Sequence, residues 1–193
     1  MMDEVKNILM VGVGGQGTIL VGKILSSGLL EAGYDVKMSE VHGMAQRGGS
    51  VSTQVRYGRK VHSPIIDLGQ ADLLVAFETM EAARWSPYLK KGGQIVVNDY
   101  RIPSAPILAG QAQYPEGLLE ALRAQAPTTI VKAGDLAGSL GSVKAMNMVL
   151  FGALVRKMNL DSLDWAGRIK AGVKPEFAEI NLKAFQAGGR IFF

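Results

Sequence analysis

The chain has 193 residues, no cysteine and two histidines, with 48% hydrophobic residues, 20% charged residues and a formal net charge of +4. This composition suits one globular domain with enough chain to bury a core. It excludes a disulfide framework and an iron–sulfur cluster held by the chain's own thiolates. A zinc site would need carboxylates around His42 or His62, and no motif supplies them, so no metal residue is assigned. The basic excess, without a Lys/Arg cluster, fits an anionic ligand or an acidic partner protein and argues against nucleic acid. No apolar stretch approaches the length of a membrane span, and the charged start MMDEVKN is unlike a leader, so the expected location is the cytoplasm.

In chain order, Ile8–Val11 reads as a short buried strand that runs into Gly12, Gly14 and Gly17, spaced G-x-G-x-x-G. The run TILVGKILSSGLLEAG that follows has helical spacing and stops at Gly33. In such a strand–turn–helix unit, Gly12 allows the tight turn, Gly14 lets backbone approach a phosphate and Gly17 lets the helix pack closely. The helix start also presents free N–H groups and a positive dipole end. Asp35–Val41 is predicted as the second strand, with Glu40 near the distance at which dinucleotide enzymes place a ribose-binding acid.

The polar loop HGMAQRGG then stands where a simple alternating fold would begin its next helix. Ser50–Arg56 and Lys60–Ile66 are predicted as a β-hairpin turning at Tyr57-Gly58-Arg59. Ala71–Glu78 reads as a buried strand, with Thr79 capping the next helix and Pro87 breaking it. Gln94–Asn98 completes a βαβ unit. Residues 101–115 read as loop with a short strand, Glu116–Gln125 as an amphipathic helix and Thr128–Lys132 as a further strand. Met146–Met158 is predicted to be a buried helix whose methionines fill the core. Two closing helices are expected at Asp161–Ala171, capped by Asp161, and at Pro175–Gln186, ended by Gly188-Gly189. The fold class is thus α/β: a Rossmann-like, mostly parallel sheet with an inserted β-hairpin, helices on both faces and C-terminal helices, all in one domain spanning residues 1–193.

The densest chemistry lies in Ser39–Ser50, which offers Glu40, His42, Gln46, Arg47 and Gly48-Gly49. Following a strand, this loop belongs at the carboxyl edge of the sheet, beside the opening glycines. Arg47 with the Gly48-Gly49 backbone could hold a phosphate or carboxylate. His42 could exchange protons near neutral pH, but no paired nucleophile is evident and a hydrogen-bonded structural role is the reading adopted. Glu78, Thr79, Asn98 and Asp99 also fall at strand ends on that edge. With no G-x-S-x-G, CxxC, H-x-x-E-H or P-loop lysine, catalysis by this chain alone is hard to build, and no catalytic residue is assigned.

At Gly12–Leu25 (GVGGQGTILVGKIL), Ser39–Gly58 (SEVHGMAQRGGSVSTQVRYG), Val61–Ile66 and Ala71–Asp99 the chain resembles the small (beta) subunit of indolepyruvate:ferredoxin oxidoreductases. This subunit is equivalent to the gamma domain of pyruvate and ketoisovalerate ferredoxin oxidoreductases. The resemblance implies a member of a heteromeric enzyme that decarboxylates 2-oxoacids oxidatively, here arylpyruvates, to acyl-CoA and passes the electrons to ferredoxin. It places thiamine diphosphate and 4Fe-4S clusters on a large alpha subunit, which matches the absence of cysteine here. It leaves coenzyme A for this chain, through Gly12, Gly14, Gly15, Gln16, Gly17 and Thr18, with Arg47, Gly48 and Gly49 from the second loop. Two readings compete with it: a free-standing NAD(P)- or flavin-binding oxidoreductase, and a non-catalytic nucleotide-binding interaction module.

Overall fold

A computed structural model describes residues 4–43 and 48–191. Strand β1 (Lys6–Val13) is buried at seven successive positions, and uncharged and almost wholly apolar there, because both of its faces are covered. Ile8 and Met10 point into one core cluster, and Leu9 and Val11 into a second on the opposite face. The chain continues through α1 (Thr18–Glu31), β2 (Asp35–His42), β3 (Ser50–Gly58), β4 (Ala71–Ala76), α2 (Thr79–Trp85), β5 (Leu89–Asn98), α3 (Ala105–Leu108), α4 (Leu118–Gln125) and β6 (Thr128–Val131). Four more helices follow: α5 (Ala133–Ser139), α6 (Met146–Lys157), α7 (Trp165–Gly172) and α8 (Ala178–Gly189).

The six strands form one sheet in the order β2-β3-β1-β4-β5-β6, and only β3 runs against the rest. Side chains of α1, α5, α6, α7 and α8 fill the first core cluster, and those of α2 and α4 belong to the second. The expected mostly parallel α/β sheet with helices on both faces and at the C-terminus is therefore present.

The hairpin is present, and Ser50–Arg56 is one of its arms as expected, but the other arm is β2 rather than residues 60–66. β3 pairs with β2 from Asp35↔Gly58 to His42↔Val51, and on its other side with β1. Residues 60–66, expected as its second arm, form no strand. Side chains take up their backbone instead. Val61 N donates to Asp35 Oδ2 at 2.8 Å, Ile66 N to Gln54 Oε1 at 2.6 Å, and Arg56 Nη1 reaches the carbonyls of Ser63 and Ile65 at 3.0 Å each. Pro64 lacks a donor, and Ile66 is buried with Leu9, Val11 and Leu74, so the segment packs against the second face of the sheet rather than extending it.

Three smaller expectations also shift. Residues 101–115 contain the short helix α3 and no strand, as Pro106 at a first-turn position favours. The cap of α2 is Glu78, whose side chain accepts from Glu81 N at 2.8 Å, while Thr79 is the first helical residue. The cap of α7 is Asp164, accepting from Gly167 N at 2.9 Å, and Asp161 lies a turn too early. Pro87 does break its helix, into a 3-10 turn at Ser86–Tyr88. Gly188 is less a terminator than a contact point. A Cβ there would lie 1.9 Å from Val149 O, and one at Gly152 would lie 2.0 Å from Phe185 O, so α6 and α8 pack backbone to backbone.

Candidate functional site

The carboxyl ends of β1, β4, β5 and β6 share one edge of the sheet, where ligands bind in open α/β folds. The loop after β1 is shaped by its own residues. Gly15 and Gly17 have φ of +98° and +83°, so these two, rather than Gly12, carry the left-handed conformations of the turn. Gly12 meets a different demand, because a Cβ there would lie 2.7 Å from Gln16 Oε1 and 3.0 Å from Phe77 Cβ. A Cβ on Gly17 would lie 2.5 Å from Asn147 Nδ2, so this glycine brings the start of α1 against α6.

Gln16 is a brace. It is buried; its Oε1 accepts from Val13 N and its Nε2 donates to Phe77 O, both at 2.8 Å, tying the end of β1 to the end of β4. Gly14 N donates to Gly49 O at 2.9 Å. That bond joins the two glycine loops expected to meet here, and it occupies the Gly14 amide assigned above to phosphate approach. Gly48, with φ of +79°, is exposed beside it. Gln46 and Arg47 lie outside the described residues.

What remains open is the start of α1 itself. It has no side-chain cap and no acidic residue in its first turn. Its first N–H groups therefore lack intrahelical acceptors, and no carboxylate competes for the positive end of the helix. Gly15, Gly17, Thr18 and Ile19 line a cavity of ≈370 Å³ with Gly14, His42 and Val51. A Cβ built on Gly15 would meet nothing within 4 Å, so the crest of the turn faces open space. The cavity's size lies within the range of about 300–1,000 Å³ common to small-molecule sites.

His42 lines this cavity. It is exposed, with Nδ1 3.2 Å from Gly43 O. Ile19 and Val51 had no signal in the sequence, because Val51 reaches the cavity only through its register opposite His42. Glu40 sits opposite Thr53 on β2 and has one oxygen, Oε1, buried with no hydrogen-bond partner among the described residues. With β3 intervening between β1 and β2, Glu40 stands one strand further from the glycine loop than a ribose-binding acid on an adjacent strand.

The other half of the edge is closed. Glu78, fully buried, accepts from Glu81 N at 2.8 Å, from Ile102 N at 3.2 Å and from the Tyr114 hydroxyl. Burial, and then the bond to Glu78, push the Tyr114 phenol above its ordinary range. Thr79 Oγ1 donates to the carbonyls of Asn98 and Tyr100 at 3.2 Å each. Asn98 Nδ2 donates to Phe77 O at 3.2 Å, and its Oδ1 accepts from Ala133 N at 3.0 Å, anchoring α5. No group of three or more His, Asp or Glu side chains suited to a metal ion occurs among the described residues. No described helix is long and apolar enough to cross a membrane.

Residues 7–191 match the family described as pyruvate ferredoxin/flavodoxin oxidoreductase. The chain belongs to that family. Within it, the chain is 38% identical over 189 residues to the indolepyruvate oxidoreductase subunit IorB of Archaeoglobus fulgidus, an alignment covering 94% of this chain and 92% of the relative. The keto/oxoacid ferredoxin oxidoreductase gamma subunit of Geobacter sulfurreducens superposes with a TM-score of 0.71 at 25% identity, covering 96% of this chain and 97% of that one. The 2-oxoglutarate:ferredoxin oxidoreductase of Magnetococcus marinus, solved with 2-oxoglutarate, coenzyme A and succinyl-CoA bound, shares the fold at a TM-score of 0.73 and 20% identity. There the match covers 98% of this chain but 31% of the longer one, so this oxidoreductase fold also occurs as one part of a larger polypeptide.

Proposed function

We propose that this chain is the small subunit of a cytoplasmic 2-oxoacid:ferredoxin oxidoreductase acting on arylpyruvates such as indolepyruvate. In this reading the whole chain works as one gamma-type domain and is inactive alone. The carrying observation is the 38% identity to an indolepyruvate oxidoreductase subunit across nearly the full length of both chains. The larger partner subunit supplies thiamine diphosphate and the iron–sulfur clusters, since a chain with no cysteine has no thiolate to offer a cluster. Coenzyme A, when bound, supplies the thiol that receives the acyl group.

This chain's part is to hold the coenzyme A phosphates. The uncapped start of α1 and the open crest at Gly15 suit an anion, because backbone N–H groups and the helix dipole act together there. Thr18 lines the same cavity, the second loop is tied to it through Gly49, and Arg47 of that loop would add a bidentate cation. Gly12 and Gln16 serve by bracing the loop. Nothing favours a nicotinamide or flavin reading, because β3 displaces the β2 acid from the glycine turn.

Co-expression with the large subunit, followed by 2-oxoacid-dependent ferredoxin reduction, tests the assignment. Arylpyruvates should outrun pyruvate and 2-oxoglutarate, and the small chain alone should be inactive. A complex that prefers 2-oxoglutarate would overturn the substrate class. Calorimetric titration of coenzyme A into the complex tests the loop: unchanged affinity in both Gly15→Val and Arg47→Ala would overturn the phosphate role.

A further inference from the structure

The amino ends of the parallel strands frame another cavity, of ≈360 Å³, between the sheet and the last turn of α6. It stands at the far end of β1 from the glycine turn, one strand length away, or about 23 Å for eight extended residues. Its walls include Lys6 of β1, Tyr57 of β3, Asp72 of β4, Lys90 and Gln94 of β5, and Lys157 of α6.

Tyr57 supplies the observation that points to a ligand. It is 0% exposed, and its ring packs edge-to-face on Tyr34 at 5.3 Å. Its hydroxyl is buried and has no hydrogen-bond partner among the described residues. A phenylalanine would fill the same space without burying an unsatisfied group. Burial, and then Tyr34 and Asp72, push the phenol above its ordinary range, so at neutral pH it keeps its proton and can donate. Asp72, itself a cavity residue, is therefore near enough to the phenol to contribute to that shift.

The charge around that hydroxyl is unbalanced. Asp72 Oδ2 accepts from Asn7 N at 2.8 Å, and its Oδ1 pairs with both Lys6, at 3.7 Å, and Lys90. One carboxylate serves two ammonium groups, and Lys157 brings a third from the last turn of α6. Glu4 reaches Lys6 from a 71% exposed position outside the walls, where solvent screens the pair. The carboxyl end of α6 offsets about half a charge. A net positive cavity beside a buried donor remains, and a water molecule would satisfy the hydroxyl without answering the charge. We propose that this cavity binds a small oxyanion, of which phosphate is the simplest, accepting from the Tyr57 hydroxyl and held among Lys6, Lys90 and Lys157. Half-buried Gln94 offers a neutral amide donor on the same wall. The anion would link the starts of three strands to the end of α6, so binding should stabilise the fold by mass action.

The test is a calorimetric titration of inorganic phosphate into the assembled complex, with chloride holding the ionic strength constant. The wild-type complex should bind one more phosphate per small subunit than a complex carrying Lys90→Gln/Lys157→Gln. Tyr57→Phe should weaken that phosphate about tenfold, the worth of one charge-assisted hydrogen bond. Gly15→Val should leave it unchanged, because that substitution acts at the opposite end of the sheet. In chloride alone, Tyr57→Phe should unfold in urea no earlier than the wild type, since it removes only an unsatisfied group, and phosphate should then raise the wild-type midpoint more than the variant's. Equal phosphate binding in the wild type, Tyr57→Phe and the double lysine variant would overturn the inference, as would no phosphate binding by the wild type. Loss of the phosphate in Gly15→Val would overturn it by placing the anion at the glycine turn. Earlier unfolding of Tyr57→Phe in chloride would also overturn it, since the hydroxyl would then be served by water alone.

Discussion

The two halves of the sheet's carboxyl edge carry similar residue types and do opposite things. After β4 and β5, Glu78, Thr79 and Asn98 turn their polar atoms inward to loops and helix starts, leaving nothing for a ligand. After β1, the one polar side chain of the glycine turn, Gln16, also turns inward, and the helix start beyond it is left without a cap. A polar residue at a strand end is therefore weak evidence of a site. Unclaimed backbone donors facing a cavity are stronger evidence, because with the helix dipole they can hold an anion without any side chain.

This contrast is open to attack by mutation. The largest effect is expected at Glu78→Ala, which removes the α2 cap and strands the buried Glu81 N, the part-buried Ile102 N and the Tyr114 hydroxyl. We expect a loss of about 3 kcal/mol in urea unfolding. Coenzyme A affinity should be unchanged in whatever complex remains folded. A selective loss of affinity would show that the closed half belongs to the site after all. Next comes Gln16→Leu, which keeps the bulk but orphans Val13 N and leaves Phe77 O only the donor from Asn98, and should cost about 2 kcal/mol. If it instead left stability intact and abolished ligand binding, Gln16 would be a contact rather than a brace.

How far these roles could be read in advance depended on the kind of interaction. Alternating and continuous apolar runs marked β1, β4, β5 and α6 correctly, since burial on two faces leaves a local trace in the sequence. The position of β3 between β1 and β2 left no such trace. SVSTQVRYG alternates like any strand, and its neighbours are chosen by pairing with residues as far away as Lys6. The mistaken hairpin arm at 60–66 has the same origin: its backbone is satisfied by Asp35, Gln54 and Arg56, three side chains that local pattern does not connect to it. Site residues divided likewise. The glycines were visible by spacing, whereas Val51 depends on tertiary register.

Smaller effects refine the comparison. Gly15→Val places a β-branched residue at φ of +98° with no steric neighbour, so the cost is backbone strain of about 1–2 kcal/mol. Its stronger consequence should be weakened coenzyme A binding, the inverse of the Glu78→Ala pattern. The smallest effect is expected at alkaline pH. The folded state holds the Tyr114 phenol above its ordinary value, through burial and its bond to Glu78. The unfolded chain thus releases that proton first, near the usual tyrosine value of about 10. Stability contributed by this group is complete below that pH and is lost as pH rises beyond it. Urea midpoints measured on either side of pH 10 should fall less steeply in Tyr114→Phe than in the wild type.

The inserted β3 also carries a consequence in time. β2 and β3 are joined by a short connection and can zip together as a local unit, whereas β1 must wait for a partner some fifty residues along the chain, as the pairing of Lys6 with Tyr57 shows. The bond from Gly14 N to Gly49 O also joins residues far apart in the chain, so it closes only when the preformed hairpin docks on β1. Local structure of this kind forms faster than long-range closure. In a stopped-flow refolding trace, helical signal should therefore return before the ability to bind coenzyme A. The anion loop would be among the last parts of the molecule to take shape.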